Sequence, residues 1–275
     1  APFADAVSGY VVTPTPDRIA RAKARAAAAP FLKPEDLSAA LTQARTFAAM
    51  RSAVITASED RADVRALEYD GRPKEAADLL GTYVGRDDLA QDWVDLARLT
   101  VRSAESNDSE AARAAAQMAV NGYLRATEDV VAGQALYYLA QDFETLNRGH
   151  DALGALRLAR KLAPENPDIA AALEQSEDRN GMRVTDSRVE ADGKMPRFCA
   201  AMSHDLSAAT DYAPFLRLPA GDLTVEADGQ QLCVAGLTHG QNVAMTLRAG
   251  LPAADGEVLA RDVEPPAVAA RCCAV

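Results

Sequence analysis

The chain has 275 residues, of which 48% are hydrophobic and 25% charged, and its 29 Lys+Arg stand against 40 Asp+Glu for a net charge of −11. That length has room for two domains of about 100–200 residues each, and no run approaches the roughly 18 apolar residues that a membrane helix needs. The acidic balance repels phosphate backbones and anionic lipid surfaces, so nucleic acid is not an expected partner. The chain opens on Ala1 without the charged and apolar regions of a signal peptide, the pattern of either a mature or an excised segment.

From Thr15 to about Arg179, Ala, Leu, Arg, Glu and Gln recur at three- and four-residue spacing, which predicts helix. Pro16, Pro30, Pro34 and Pro73 mark starts or breaks, and Pro34-Glu35-Asp36 reads as an acidic first turn at a positive helix end. Residues 135–164 carry the clearest pattern: Leu139, Ala140 and Phe143 line one helix, Gly149 permits a turn, and Ala152, Leu156 and Ala159 line a second helix that Pro164 stops. This resembles a tetratricopeptide repeat, a helix-turn-helix unit of about 34 residues. A looser copy spans Val64 to Leu80 with Leu67, Gly71, Ala76 and Leu80, and Trp93 to Tyr123 reads as a less regular pair. Since one such pair cannot bury its face alone, at least three stacked pairs are expected, closed by a capping helix after Pro167, with Gly181 marking the change of domain.

From Met182 the period shortens. The runs MRVTDSRVE, RFCAAMS, FLRLP, LTVEA, QLCVA, NVAMTLR and EVLARDV are separated by turn signals at Asp192-Gly193, Asp228-Gly229, His239-Gly240 and Asp255-Gly256. Seven short strands at this spacing predict a β-sandwich, with Val243, Met245 and Leu247 alternating in facing with Ala244, Thr246 and Arg248. The expected class is multi-domain α plus β: a helical repeat array over 1–180, an antiparallel sandwich over 181–264, and an irregular tail over 265–275.

Chemistry-bearing residues are sparse. Of four cysteines, Cys272 and Cys273 adjoin in the tail, whereas Cys199 and Cys233 lie in strand-like runs and form either an inter-strand disulfide or two buried thiols. His150, His204 and His239 are widely spaced and read as exposed turn residues. Ser58-Glu59-Asp60 and Arg86-Asp87-Asp88 lack calcium-loop spacing and read as solvated helix ends. No catalytic residue, metal site or cofactor is expected. Tyr137, Tyr138 and Phe143 are candidates for a peptide-binding surface on the repeats, the competing reading being that Tyr138 and Phe143 pack between helices.

Helical repeats running into RVTDSRVEADGKMPRFCAAMS, then DYAPFLRL, then QLCVAGLTHGQNVAMTLRAGLPAADGE, resemble the N-terminal part of bacterial α2-macroglobulin-like proteins over roughly Pro2 to Val263. The resemblance implies a first macroglobulin-type domain preceded by a helical region, in a periplasmic or secreted protease trap that is often anchored to the membrane through an N-terminal lipoprotein segment. Its partners would be proteases, met through the whole parent protein. The chain lacks the family's Cys-x-Glu-Gln thioester motif: the nearest run, Ala172-Leu173-Glu174-Gln175, has Ala in place of the reactive sulfur, and no bait segment is present. The expected function is therefore a non-catalytic structural and interaction portion of an endopeptidase inhibitor. The alternative is a tetratricopeptide-type adaptor with an appended β-module.

Overall fold

Proline opens several of the helices, because its fixed φ suits the first helical turn and its missing N–H would be unpaired there in any case. The computed structural model describes residues 15–50, 61–105, 107–190, 196–218, 223–237 and 245–265. Among these, α1 is Pro16–Ala27, α2 Pro34–Met50, α3 Ala62–Tyr69, α4 Pro73–Asp87, α5 Ala90–Ser103, α6 Ser109–Arg125, α7 Asp129–Thr145, α8 Gly149–Leu162 and α9 Pro167–Asn180. The strands are β1 Val184–Glu190, β2 Arg197–Met202, β3 Leu216–Arg217, β4 Thr224–Asp228, β5 Gln231–Ala235 and β6 Thr246–Leu247. The chain is thus α plus β, helices followed by a small antiparallel sheet. It divides into two compact units between Ser176 and Glu177, inside α9 and a few residues before the Gly181 breaker.

In the helical unit, consecutive helices pack on one another from α3 to α8, and α5 also touches α7. Two turns share one construction. After α3, Gly71 takes φ +72° and donates to the Glu68 carbonyl, while the Arg72 amide donates to Leu67 at 2.9 Å. After α7, Asn147 takes φ +58° and donates to Glu144, while Arg148 donates to Phe143 at 2.8 Å. Both satisfy the carbonyls that a helix end would otherwise leave unpaired. The left-handed residue of the second turn is therefore Asn147, and Gly149 is instead the first residue of α8. The next helices also begin alike, with Arg72 reaching Glu75 and Arg148 reaching Asp151, each through Nε at 2.7 Å.

Helices approach closely where side chains are small. A Cβ on Gly122 of α6 would lie 2.8 Å from Val94 of α5, and one on Gly133 of α7 would lie 2.8 Å from the Ala163 Cβ just past α8. The apolar rows Leu139, Ala140, Phe143 and Ala152, Leu156, Ala159 are all buried, as their spacing predicts. Helix α2 lies across α4 and α6.

Arg86-Asp87-Asp88 departs from the solvated helix end that its sequence suggests. Asp88 terminates α4 at φ +54° and is only 2% exposed. Its Oδ1 accepts from Arg125 Nε at 2.5 Å and from Trp93 Nε1 at 2.9 Å. Arg125 stacks over the Trp93 ring and donates to Asn121 Oδ1, and Asn121 donates to the Ala40 carbonyl of α2. Beside it, Arg61 takes Asp92 at 2.6 and 2.8 Å and Asp87 at 2.8 Å.

The second unit carries a four-stranded sheet in the order β1-β2-β5-β4 and a two-stranded pair, β3-β6. Register sorts the residues by face. Val189, Phe198, Val234 and Val225 align across the sheet on the core side, and the next row places Arg188, Cys199, Cys233 and Glu226 on the other. Cys199 and Cys233 are direct cross-strand partners and form a disulfide, 34 residues apart in sequence, with both residues buried. Three strand expectations change. EVLARDV contributes only isolated bridges, Met182 to Leu259, Leu247 to Val263 and Pro252 to Val258. FLRLP shortens to Leu216–Arg217 because Ala213-Pro214-Phe215 forms a 3-10 turn. NVAMTLR shows strand at Thr246–Leu247, while Val243 and Ala244 lie outside the described residues.

Replacing Asp88 by Asn, which keeps tolerance for the left-handed backbone but removes the charge, takes from buried Arg125 the carboxylate that its Nε reaches at 2.5 Å. We expect a loss of about 3 kcal/mol. Trp93 is the chain's one tryptophan, so urea unfolding followed by its fluorescence reads this directly; a loss below about 1 kcal/mol would mean the pair is not what holds these helices.

Candidate functional site

Helices α5 and α7 face one another across a cavity of about 220 Å³. Helical spacing builds both walls: Ala97 with Val101 and Arg98 with Arg102 are i, i+4 neighbours on α5, and Tyr138 with Asp142 are i, i+4 neighbours on α7. Gln141 completes the α7 wall, and Val101 is 43% exposed at the edge.

The arginines are held by α3. Arg98 grips Glu68 with both terminal nitrogens, at 2.6 and 2.9 Å, and Arg102 reaches the same carboxylate at 3.2 Å. The Arg98 hydrogen bond holds Glu68 below the usual carboxylate range and raises the arginine in turn. Asp95, 3.5 Å from Arg98, is pushed upward chiefly by burial.

Asp142 is the chemically unusual member. It is 3% exposed, and its Oδ2 has no hydrogen-bond partner among the described residues. Burial alone pushes its carboxyl up to about 8, so near neutral pH it is mostly protonated and offers one O–H donor. Tyr138 lines the cavity beside it, its ring edge to face with that of Tyr137 at 5.2 Å, and burial raises both phenols.

A larger cavity of about 340 Å³ lies where α2, α6 and α7 meet, floored by Val120, Leu139 and Phe143. Of its two acids and two bases, one pair is joined: Arg148 takes Asp36 at 2.6 and 2.8 Å and stacks 4.0 Å over the Phe143 ring, while Glu35 and Arg113 also line the space. The smaller cavity is distinguished by a buried carboxyl oxygen with no hydrogen-bond partner among the described residues.

The residues singled out from sequence separate. Tyr137 and Tyr138 are half-buried on α7, and Tyr138 lines the smaller cavity. Phe143 is 1% exposed and packs inside, reaching the floor of the larger cavity; its place in the Leu139–Ala140–Phe143 row puts it on the core side. Ala172 to Gln175 lies within α9. His150 is exposed but helical, in the first turn of α8, not in a turn between elements. His204 is half-buried, with Nδ1 2.9 Å from Ser203 Oγ and Nε2 3.9 Å from Asp255. That serine accepts the Arg183 amide at 3.0 Å, which ties it to the backbone. His239, Ser58-Glu59-Asp60, Cys272 and Cys273 lie outside the described residues. Asp142, Arg98, Arg102 and Glu68 were not singled out by sequence reasoning. Asp142 does carry a readable signal: Ala135, Leu139 and Asp142 fall at i, i+4 and i+7, which puts an acid in a buried apolar stripe.

No protein-family model matches the chain, and no curated protein sequence matches it. Among solved structures, the chain is similar to the crystal structure of the N-terminal part of the bacterial S-layer protein SbsC. The identity is 14%, the match covers 96% of this chain and 76% of that one, and the TM-score is 0.25, too low to carry any argument.

The buried carboxyl makes stability depend on pH with a definite sign. Its folded value, about 8, lies above the roughly 3.9 of an unfolded aspartate, so the folded state holds the extra proton between them and stability falls as pH rises through that window. Asp142→Asn removes this slope. Urea unfolding should find the variant's advantage over the unmodified chain growing by about 3–4 kcal/mol between pH 5 and pH 9; parallel pH profiles would contradict the assignment.

Proposed function

We propose that the chain is the non-catalytic N-terminal portion of an exported, α2-macroglobulin-like endopeptidase inhibitor. In this reading the β unit is a macroglobulin-type sandwich, and the helices are tetratricopeptide-like pairs that supply protein contacts. The observation that carries it is the disulfide between Cys199 and Cys233. Two of the segments that carry the resemblance, RFCAAMS and QLCVAGL, supply neighbouring strands, and the bond between them suits a periplasmic or secreted protein because such bonds persist in oxidising compartments. The repeated turn construction at Gly71 and Asn147 supports the repeat reading. No helix among the described residues is long and apolar enough to cross a membrane; attachment through a lipoprotein segment remains part of the proposal.

A second reading, an adaptor that holds a partner peptide on its helical pairs, is favoured by the cavity between α5 and α7 with its uncommitted carboxyl and its tyrosine wall. The two readings differ in what the whole gene product does. Mixed with an endopeptidase, the full parent protein should form a stable complex that blocks cleavage of large protein substrates and spares small peptide substrates. Full activity on large substrates with no complex formed would leave the adaptor reading standing. The compartment is tested separately: in protein taken from its native source without reductant, peptide mapping should recover Cys199 linked to Cys233. Cys199→Ser with Cys233→Ser should lower stability by about 2–4 kcal/mol.

A further inference from the structure

We infer that the cavity between α5 and α7 is a socket for one cationic side chain, lysine or arginine, of a partner polypeptide, with Asp142 as its counter-ion and Tyr138 as its aromatic wall. This deepens the reading of the helical pairs as a contact surface and rests on it.

Size sets the first limit. At about 220 Å³ the space is smaller than the roughly 300–1,000 Å³ of pockets for whole small ligands, and it matches a single long side chain. Its apolar wall, Ala97 and Val101, suits the methylene stem of such a residue, since Lys and Arg bury their stems and present only the tip as charge.

The polar groups decide the sign of the tip. Arg98 is committed to Glu68 through both terminal nitrogens, and Arg102 shares that carboxylate. An incoming anion would have to compete with a bidentate pair. The carboxyl of Asp142 has no such commitment, and one of its oxygens has no partner among the described residues. A guanidinium or ammonium placed there supplies the missing donor, and the Tyr138 ring in the wall adds cation–π attraction.

The charged residues of the lining are Arg98, Arg102 and Asp142, and both arginines are turned to Glu68 of α3. Asp95 of α5 and Asp168 of α9 act on the Tyr138 wall. When the cation arrives Asp142 gives up its proton to solvent, so that a neutral acid becomes the carboxylate of a buried ion pair.

The test uses the full chain and the peptide acetyl-Gly-Gly-Lys-Gly-Gly-amide, with norleucine and glutamate peptides as controls. Calorimetry at pH 7 should show the lysine peptide binding at least about ten-fold tighter than the norleucine peptide. Repeating it in buffers of different ionisation enthalpy should show release of up to one proton per peptide bound. Asp142→Asn should erase both the ten-fold preference and the proton release. Should that variant not fold, the ¹³C shift of the Asp142 carboxyl in the unmodified chain serves instead, moving from the neutral to the ionised position as lysine peptide is added. Equal binding of lysine and norleucine peptides, preference for the glutamate peptide, or an unmoved carboxyl shift would each overturn the socket. If the parent protein still captures proteases while the lysine peptide is ignored, the socket fails and the inhibitor reading survives.

Discussion

The carboxylate of Asp88 sits where α4 stops and α5 has not begun, and the placement of the helices around it depends on how that buried charge is satisfied. A left-handed residue turns the chain, and its side chain points inward instead of toward water. One oxygen receives Trp93 from α5 and Arg125 from α6, and Arg125 is held by Asn121, whose amide is anchored on α2. Burying an ion pair is costly, and removing one partner costs more than the pair itself contributes. The network therefore selects among helix packings more than it glues them together, because a shifted α5 would strand both a carboxylate and a guanidinium away from water.

That selection reaches the cavity through the rigidity of α5. Trp93 and Arg98 lie on the same helix, so fixing the buried Trp93 end also fixes the register at which Arg98 and Arg102 meet Glu68. On the opposite wall, Leu139 and Phe143 hold α7 in the core, and Tyr138 and Asp142 are carried with it. The uncommitted carboxyl thus rests on two helices whose positions are determined elsewhere, as a binding group needs if it is to keep its geometry while empty.

Much of this is written in the local sequence, and the unreadable parts share a cause. Proline starts at Pro16, Pro34 and Pro73, the apolar rows of α7 and α8, and the strands around Cys199 and Cys233 all follow from spacing within one element. What spacing could not give was the partner of a charged residue. Asp88 and Arg125 are 37 positions apart, and Arg148 and Asp36 are 112 apart; each alone looks like an ordinary solvated charge. The same limit hid the arginine pair on Glu68. In the second unit EVLARDV has strand-like composition, yet pairing is a property of two segments, and only isolated bridges reach it. Asn147 was overlooked beside Gly149 for a different reason: asparagine also tolerates the left-handed region, and the neighbouring glycine is the more obvious breaker.

Helix α2 gives the helical unit a property that its paired neighbours would lack by themselves. In a row of helix pairs that touch only their neighbours, unfolding can begin at either end and proceed pair by pair. Here one helix packs on α4 and α6, accepts Asn121 at Ala40, sends Gln43 to the Ala114 carbonyl, and through Asp36 is clamped to Arg148 at the start of α8. Loosening α4, α6 or the start of α8 therefore disturbs a helix that the others also contact. The expected consequence is melting as one cooperative block, in which a force or a protease acting at one end meets the stability of the whole row and not that of its last helices.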